Sequence, residues 1–126
     1  MNKMSSLKPD ELKLKAKHFK DIVDSSPEAI FVYVDARIIF ANTTALQLLK
    51  AKNPQDVIGK DVFTFVPEQS HEALRKVIFL VIQNRKNYIS NEDRIIALDG
   101  EIIDIEISST YFNFNGKDGI QAFIKD

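Results

Sequence analysis

Two histidines, one pair of acids on a predicted strand and no cysteine make up the chemical inventory of these 126 residues. Asp104 and Glu106 stand two apart in EIIDIEISSTYF, so on a strand they share a face, and a pair of acids can carry general acid–base chemistry. The same alternation sets them opposite Ile103, Ile105 and Ile107, on the wet side of a sheet, where ordinary solvated acids sit. His71 falls in the first turn of a predicted helix; a neutral imidazole is a good iron ligand, but beside Glu72 this one reads as a solvated residue. His18, on an amphipathic helix, reads as surface. The lack of cysteine excludes thiolate nucleophiles, disulfides and cysteine metal sites. GxSxG, HExxH and phosphate-cradling glycine loops are absent, and the four glycines fall at predicted turns or loops. No residue set supports catalysis, so the chain is expected not to be an enzyme.

The elements that position these residues follow from periodicity. At 126 residues and 44% hydrophobic content the chain suits one domain with one core. Seventeen basic residues against eighteen acidic ones leave a net charge of −1, no footprint for nucleic acid or an anionic membrane. The N-terminus has no signal-peptide core and no run of about 18 apolar residues occurs. A soluble, cytoplasmic chain is expected.

Leu12, Ala16, Phe19, Ile22 and Val23 form a narrow apolar stripe on a helix that stops near Ser25-Ser26-Pro27. This divides the chain into an N-terminal amphipathic helix within residues 1–26 and a domain over 27–126. AIFVYV and RIIFA flank Asp35-Ala36 as a tight hairpin. Asn42 then stands where its side chain can cap a helix over 43–51, and Gly59 marks a backbone turn. A long helix starts at Pro67, with Leu74, Val77, Ile78, Val81 and Ile82 on one broad face. Three strands follow, turning at Asp99-Gly100 and Asn115-Gly116. Helix, two strands, short helices, long helix and three strands give an α+β fold: five antiparallel strands with the helices on one face.

This order resembles the PAS domain, the sensory module of histidine kinases, cyclic-dinucleotide enzymes and transcription regulators. The resemblance runs over roughly residues 19–126 and rests on FKDIVDSSPEAIFV, RIIFAN, VIGKDVF, LDG before EIIDIEIS, and the closing FIKD. It implies the input domain of a sensor histidine kinase or related regulator, its C-terminal output domain lying outside this chain, and a small-molecule pocket between sheet and helices. It also points away from two cofactors. In flavin-binding members a cysteine stands near the place of Val62 and a glutamine near that of Ile124; the haem ligand of oxygen sensors falls near Leu74, one turn beyond His71. Neither haem nor flavin is therefore expected.

Alternation sets Val32 and Val34 inward on the first strand, Ile105 and Ile107 on the fourth, and Ala122 and Ile124 on the last. Leu46, Phe63, Leu74 and Ile78 would close the pocket from the helical side. Such a lining suits an apolar guest, or simply a filled core. On the third strand Asn91 and Asp93 share the parity of Ile95 and Ala97; either they face inward and meet a ligand's polar end, or a bulge turns them outward. The opposite parity carries Phe31, Tyr33 and Phe123 to the outer face, too apolar for water. The stripe through Leu12, Phe19 and Val23 would cover it, from the same chain or from a second copy. The resemblance implies the second copy, a homodimer.

Overall fold

The computed structural model describes residue 18, residues 20–85 and residues 88–126. Residues 20–24 end a helix; Leu12, Ala16 and Phe19, the other members of the expected stripe, lie outside the described residues. Strands β1 (Ala29–Val34) and β2 (Arg37–Ala41) form the first hairpin, closed by Asp35 and Ala36 at φ 51° and 64°. Two successive left-handed residues give the tight turn whose twist matches the flanking strands. Helix α1 (Thr43–Leu48) follows, shorter than expected because the chain turns left-handed at Lys50 (φ 58°). Three 3₁₀ turns, Pro54–Asp56, Val62–Phe65 and Glu68–Ser70, lead into α2 (His71–Asn84). Pro67 thus opens a 3₁₀ turn rather than the α-helix itself.

Strands β3 (Ile89–Ile96), β4 (Ile102–Phe114) and β5 (Lys117–Lys125) complete one sheet, order β2-β1-β5-β4-β3, antiparallel throughout. The expected five-stranded α+β fold is the one found, and it brings the start of β1 beside the end of β5 at the sheet's centre. The buried residues of α1, α2 and the turns, including Ala45, Leu49, Val57, Phe65 and Val81, pack on one face with Ile95, Ile103, Ile105, Ile120, Ala122 and Ile124. Asp104 and Glu106 are exposed. The turn between β3 and β4 is fixed to the end of α1: the Leu98 amide donates to the Leu49 carbonyl at 2.9 Å, and Lys50 Nζ reaches Asp99 and Glu101 at 2.8 and 2.6 Å. Hydrogen bonding from Lys50 holds the Asp99 carboxyl below its ordinary value and raises the lysine in turn.

The inward parity of β1 is the reverse of the expected one. Ala29, Phe31 and Tyr33 are buried against the core, while Val32 is half-buried on the outer face. AIFVYV is apolar at every position, so its own alternation carries no information. Pairing decides it: Phe31 stands opposite Ala122 and Tyr33 opposite Ile120, both on the core face of β5.

Asn42, fully buried, is the junction of three elements. Its Oδ1 accepts from the Ala45 amide, the expected cap, and from the Ile30 amide, both at 2.9 Å. Its Nδ2 donates to the carbonyls of Val23 and Glu28, also at 2.9 Å. All four side-chain positions of an amide are used. Thr44 Oγ1 adds a bond to the Ser26 carbonyl at 2.6 Å, so the end of the N-terminal helix, the start of β1 and the start of α1 form one hydrogen-bonded knot.

Candidate functional site

A cavity of about 60 Å³ lies between the concave face of the sheet and the helical layer. Its sheet wall is Phe31 and Tyr33 of β1, Ile38 of β2, Asn91, Asp93 and Ile95 of β3, Ile107 and Ser109 of β4, and Ala122 and Ile124 of β5. Leu49, Val62, Phe65, Val66, Leu74 and Val77 form the opposite wall. The turn Val62–Phe65 explains two of these. With three residues per 3₁₀ turn, Val62 and Phe65 eclipse each other and face the cavity, while Phe63 points elsewhere.

Of the residues expected at the cavity, Leu74, Asn91, Asp93, Ile107, Ala122 and Ile124 line it. Val32 and Val34 do not, because β1 turns Phe31 and Tyr33 inward in their place. Leu46 and Ile78 pack against the core without reaching the cavity, and Ile105 is buried beside it. Phe63 instead stacks edge-on with His71 at 5.2 Å between ring centroids, under the Arg75 guanidinium at 5.3 Å. Phe31, Tyr33 and Ser109 are lining residues outside the expected set, yet each has a signal in the sequence. A two-residue hairpin turn pairs Val34 with Arg37 on one face, and a charged Arg37 marks that face as the outer one. Ser109 continues the parity of Ile103, Ile105 and Ile107.

The polar groups of the wall set the chemistry. The β3–β4 register runs without a bulge from Ile89 opposite Ser109 to Ile96 opposite Ile102, so Asn91 and Asp93 face inward. Asn91 Oδ1 is fully buried and has no hydrogen-bond partner among the described residues. Among the described residues its Nδ2 reaches only the Glu92 carbonyl, at 3.5 Å, the limit of hydrogen bonding. The Asp93 side chain accepts from the Arg94 amide at 2.8 Å and borders both the cavity and an open cleft beside Pro67, Gln69 and Ser70. Burial pushes the Tyr33 phenol above its ordinary value, so it stays protonated. A buried acceptor left unpaired costs about 1–3 kcal/mol, a standing cost that a bound donor would remove.

His71 is not at the cavity. It is half-buried rather than solvated, and its Nε2 lies 2.8 Å from the Val66 carbonyl and 3.1 Å from that of Phe63. Carbonyls only accept, so Nε2 carries the proton and donates, holding the Val62–Val66 segment that forms part of the wall. Among the described residues no group of three or more histidine or acidic side chains could hold a metal, and no helix is long and apolar enough to cross a membrane.

The outer face of the sheet differs from expectation in the same way as β1. Phe31 and Tyr33 belong to the core, and the half-buried outer residues include Ile30, Val32, Phe40 and Phe123. Val23 is half-buried near the Asn42 knot.

Known proteins share this architecture. A family model described as the PAS fold matches residues 17–126. Sporulation kinase A of Bacillus subtilis is 24% identical over 92 residues; the match takes in 73% of this chain and 15% of the kinase, so this chain spans only a small part of its length. Among solved structures, the PAS domain of an HTR-like protein from Haloarcula marismortui superposes with a TM-score of 0.79 at 20% identity, over 93% of this chain and 95% of that one. A PAS domain from a two-component sensor histidine kinase does so with a TM-score of 0.75 at 14% identity, over 90% and 96%. Element order, sheet topology and the matched residues agree, and the chain belongs to the PAS family.

Proposed function

We propose that this chain is the sensory input module of a sensor histidine kinase or related regulator, and that it holds a small molecule in the core cavity. The observation that carries this reading is the buried Oδ1 of Asn91, unpartnered among the described residues, on a residue that lines a mainly apolar cavity together with Asp93, Ser109 and Tyr33. The likeness to a segment of sporulation kinase A supports the kinase context. A ligand acts by favouring one arrangement of the walls over another. Ile124 and Ala122 lie on β5, next to β1 and the Asn42 knot, so a shift of this wall reaches both the N-terminal helix and the end of the chain. No turnover belongs to this reading: among the described residues the hydroxyls of Ser109 and Tyr33 in the wall share no hydrogen bond with the Asp93 carboxylate, which accepts from the Arg94 amide instead. Haem and flavin do not belong to it either: about 60 Å³ takes on the order of four water-sized groups, and Val62, Leu74 and Ile124 offer no ligating atom.

A second reading is a dimerisation scaffold that binds nothing. The half-buried outer residues Ile30, Val32, Phe40 and Phe123, with Ile22 left 62% exposed, favour it as the seam of a homodimer. Native mass spectrometry of protein purified from cells separates the two. The sensory reading expects the mass of a bound small molecule on each chain, lost on unfolding. An unliganded dimer in every preparation would overturn it in favour of the scaffold.

A further inference from the structure

The cavity, taken as the ligand site proposed above, has a chemical bias of its own. We infer that it takes a small primary amine in its ammonium form, with N–H donors on Asn91 Oδ1 and the Asp93 carboxylate and a short alkyl body against the aliphatic wall.

Three observations converge on a cation. The unsatisfied group is an acceptor, so it calls for a donor. The amide orientation that makes it so places Nδ2, not Oδ1, toward the Glu92 carbonyl, and only nitrogen can donate there. Among the described residues Asp93 is the one charged side chain in the wall, no lysine, arginine or histidine lines the cavity, and Asp93 has no ion-pair partner. Finally, three aromatic rings, Phe31, Tyr33 and Phe65, share the wall, and aromatic faces attract ammonium groups. A carboxylate ligand would meet Asp93 with like charge and leave Asn91 Oδ1 unpaired. A neutral alcohol would satisfy Asn91 but use neither the charge nor the rings.

Size and placement agree. At about 60 Å³ the space suits on the order of four heavy atoms. Asn91 and Asp93 are two apart on one face of β3, and Asp93 also borders the open cleft. The charged head therefore sits toward solvent and is spared full desolvation, which a buried unpaired cation could not survive.

The test is nuclear magnetic resonance titration of the whole chain with three probes of nearly equal size: n-propylammonium, n-propanol and propionate. n-Propylammonium should shift the methyl signals of Leu74, Ile107 and Ile124 and bind at least about tenfold more tightly than n-propanol, with no response to propionate. Asp93→Asn should weaken the ammonium by about tenfold or more and narrow its lead over the alcohol. Equal or tighter binding of n-propanol or propionate overturns the ammonium assignment and leaves the cavity reading standing. Dissolved xenon separates the remaining cases, since it enters apolar cavities without hydrogen bonds. Xenon shifts at the same methyls without ammonium binding overturn this inference alone. Silence to xenon and to all three probes overturns the ligand site as well.

Discussion

Asn42→Ala is expected to destabilise the domain by about 3–5 kcal/mol, well beyond the usual loss of a helix cap. The substitution leaves the amides of Ala45 and Ile30 and the carbonyls of Val23 and Glu28 without their partner in a site that is fully closed to solvent. Each orphaned group costs on the order of 1–3 kcal/mol, reduced where water enters or neighbours relax. Asn42→Asp isolates the donor side of the knot. It keeps both acceptor bonds but turns an oxygen toward two carbonyls, so it should recover little of the loss at neutral pH. Urea melts followed by circular dichroism measure both. A loss for Asn42→Ala of under about 1 kcal/mol would show that the side chain serves as a cap and nothing more.

Ile105→Ala is expected to cost about 2–5 kcal/mol, the range for deleting most of a buried aliphatic side chain. Ile105 is 3% exposed in the middle of β4, opposite Asp93. Its neighbour Glu106 is exposed, so Glu106→Ala should stay within about 0.5 kcal/mol in the same melts. The contrast between adjacent positions tests the strand register. Equal effects at 105 and 106 would contradict it.

These two positions also mark how far the sequence is readable. On β4 polar and apolar residues alternate, so inside and outside can be told apart from Ile103 to Ile107 without a structure. On β1 every residue is apolar and only the strand's neighbours choose its inner face; the usable cue lies across the turn, at Arg37. Asn42 is legible as a cap through its position before TTALQLL. Its bonds to Val23, Glu28 and Ile30 join residues 12 to 19 apart and depend on the packing of three elements. The cavity's helical wall is partly hidden because 3₁₀ turns repeat every three residues, which exchanges Phe63 for Val62 and Phe65. The polar pair on β3 is visible as Asn91 and Asp93; that no bulge turns them outward follows only from the continuous register with β4.

The central claim is that Asn91 is kept for a ligand and not for the fold. A group retained for binding carries its cost in the empty domain, whereas a structural group repays it. Asn91→Leu fills nearly the same space without a polar atom, so it measures the difference most directly. Equilibrium urea unfolding of the ligand-free protein should show Asn91→Leu to be as stable as the parent or more stable, by up to about 1–3 kcal/mol. A loss of more than about 1 kcal/mol would mean that Asn91 supports the sheet itself, and would contradict the claim.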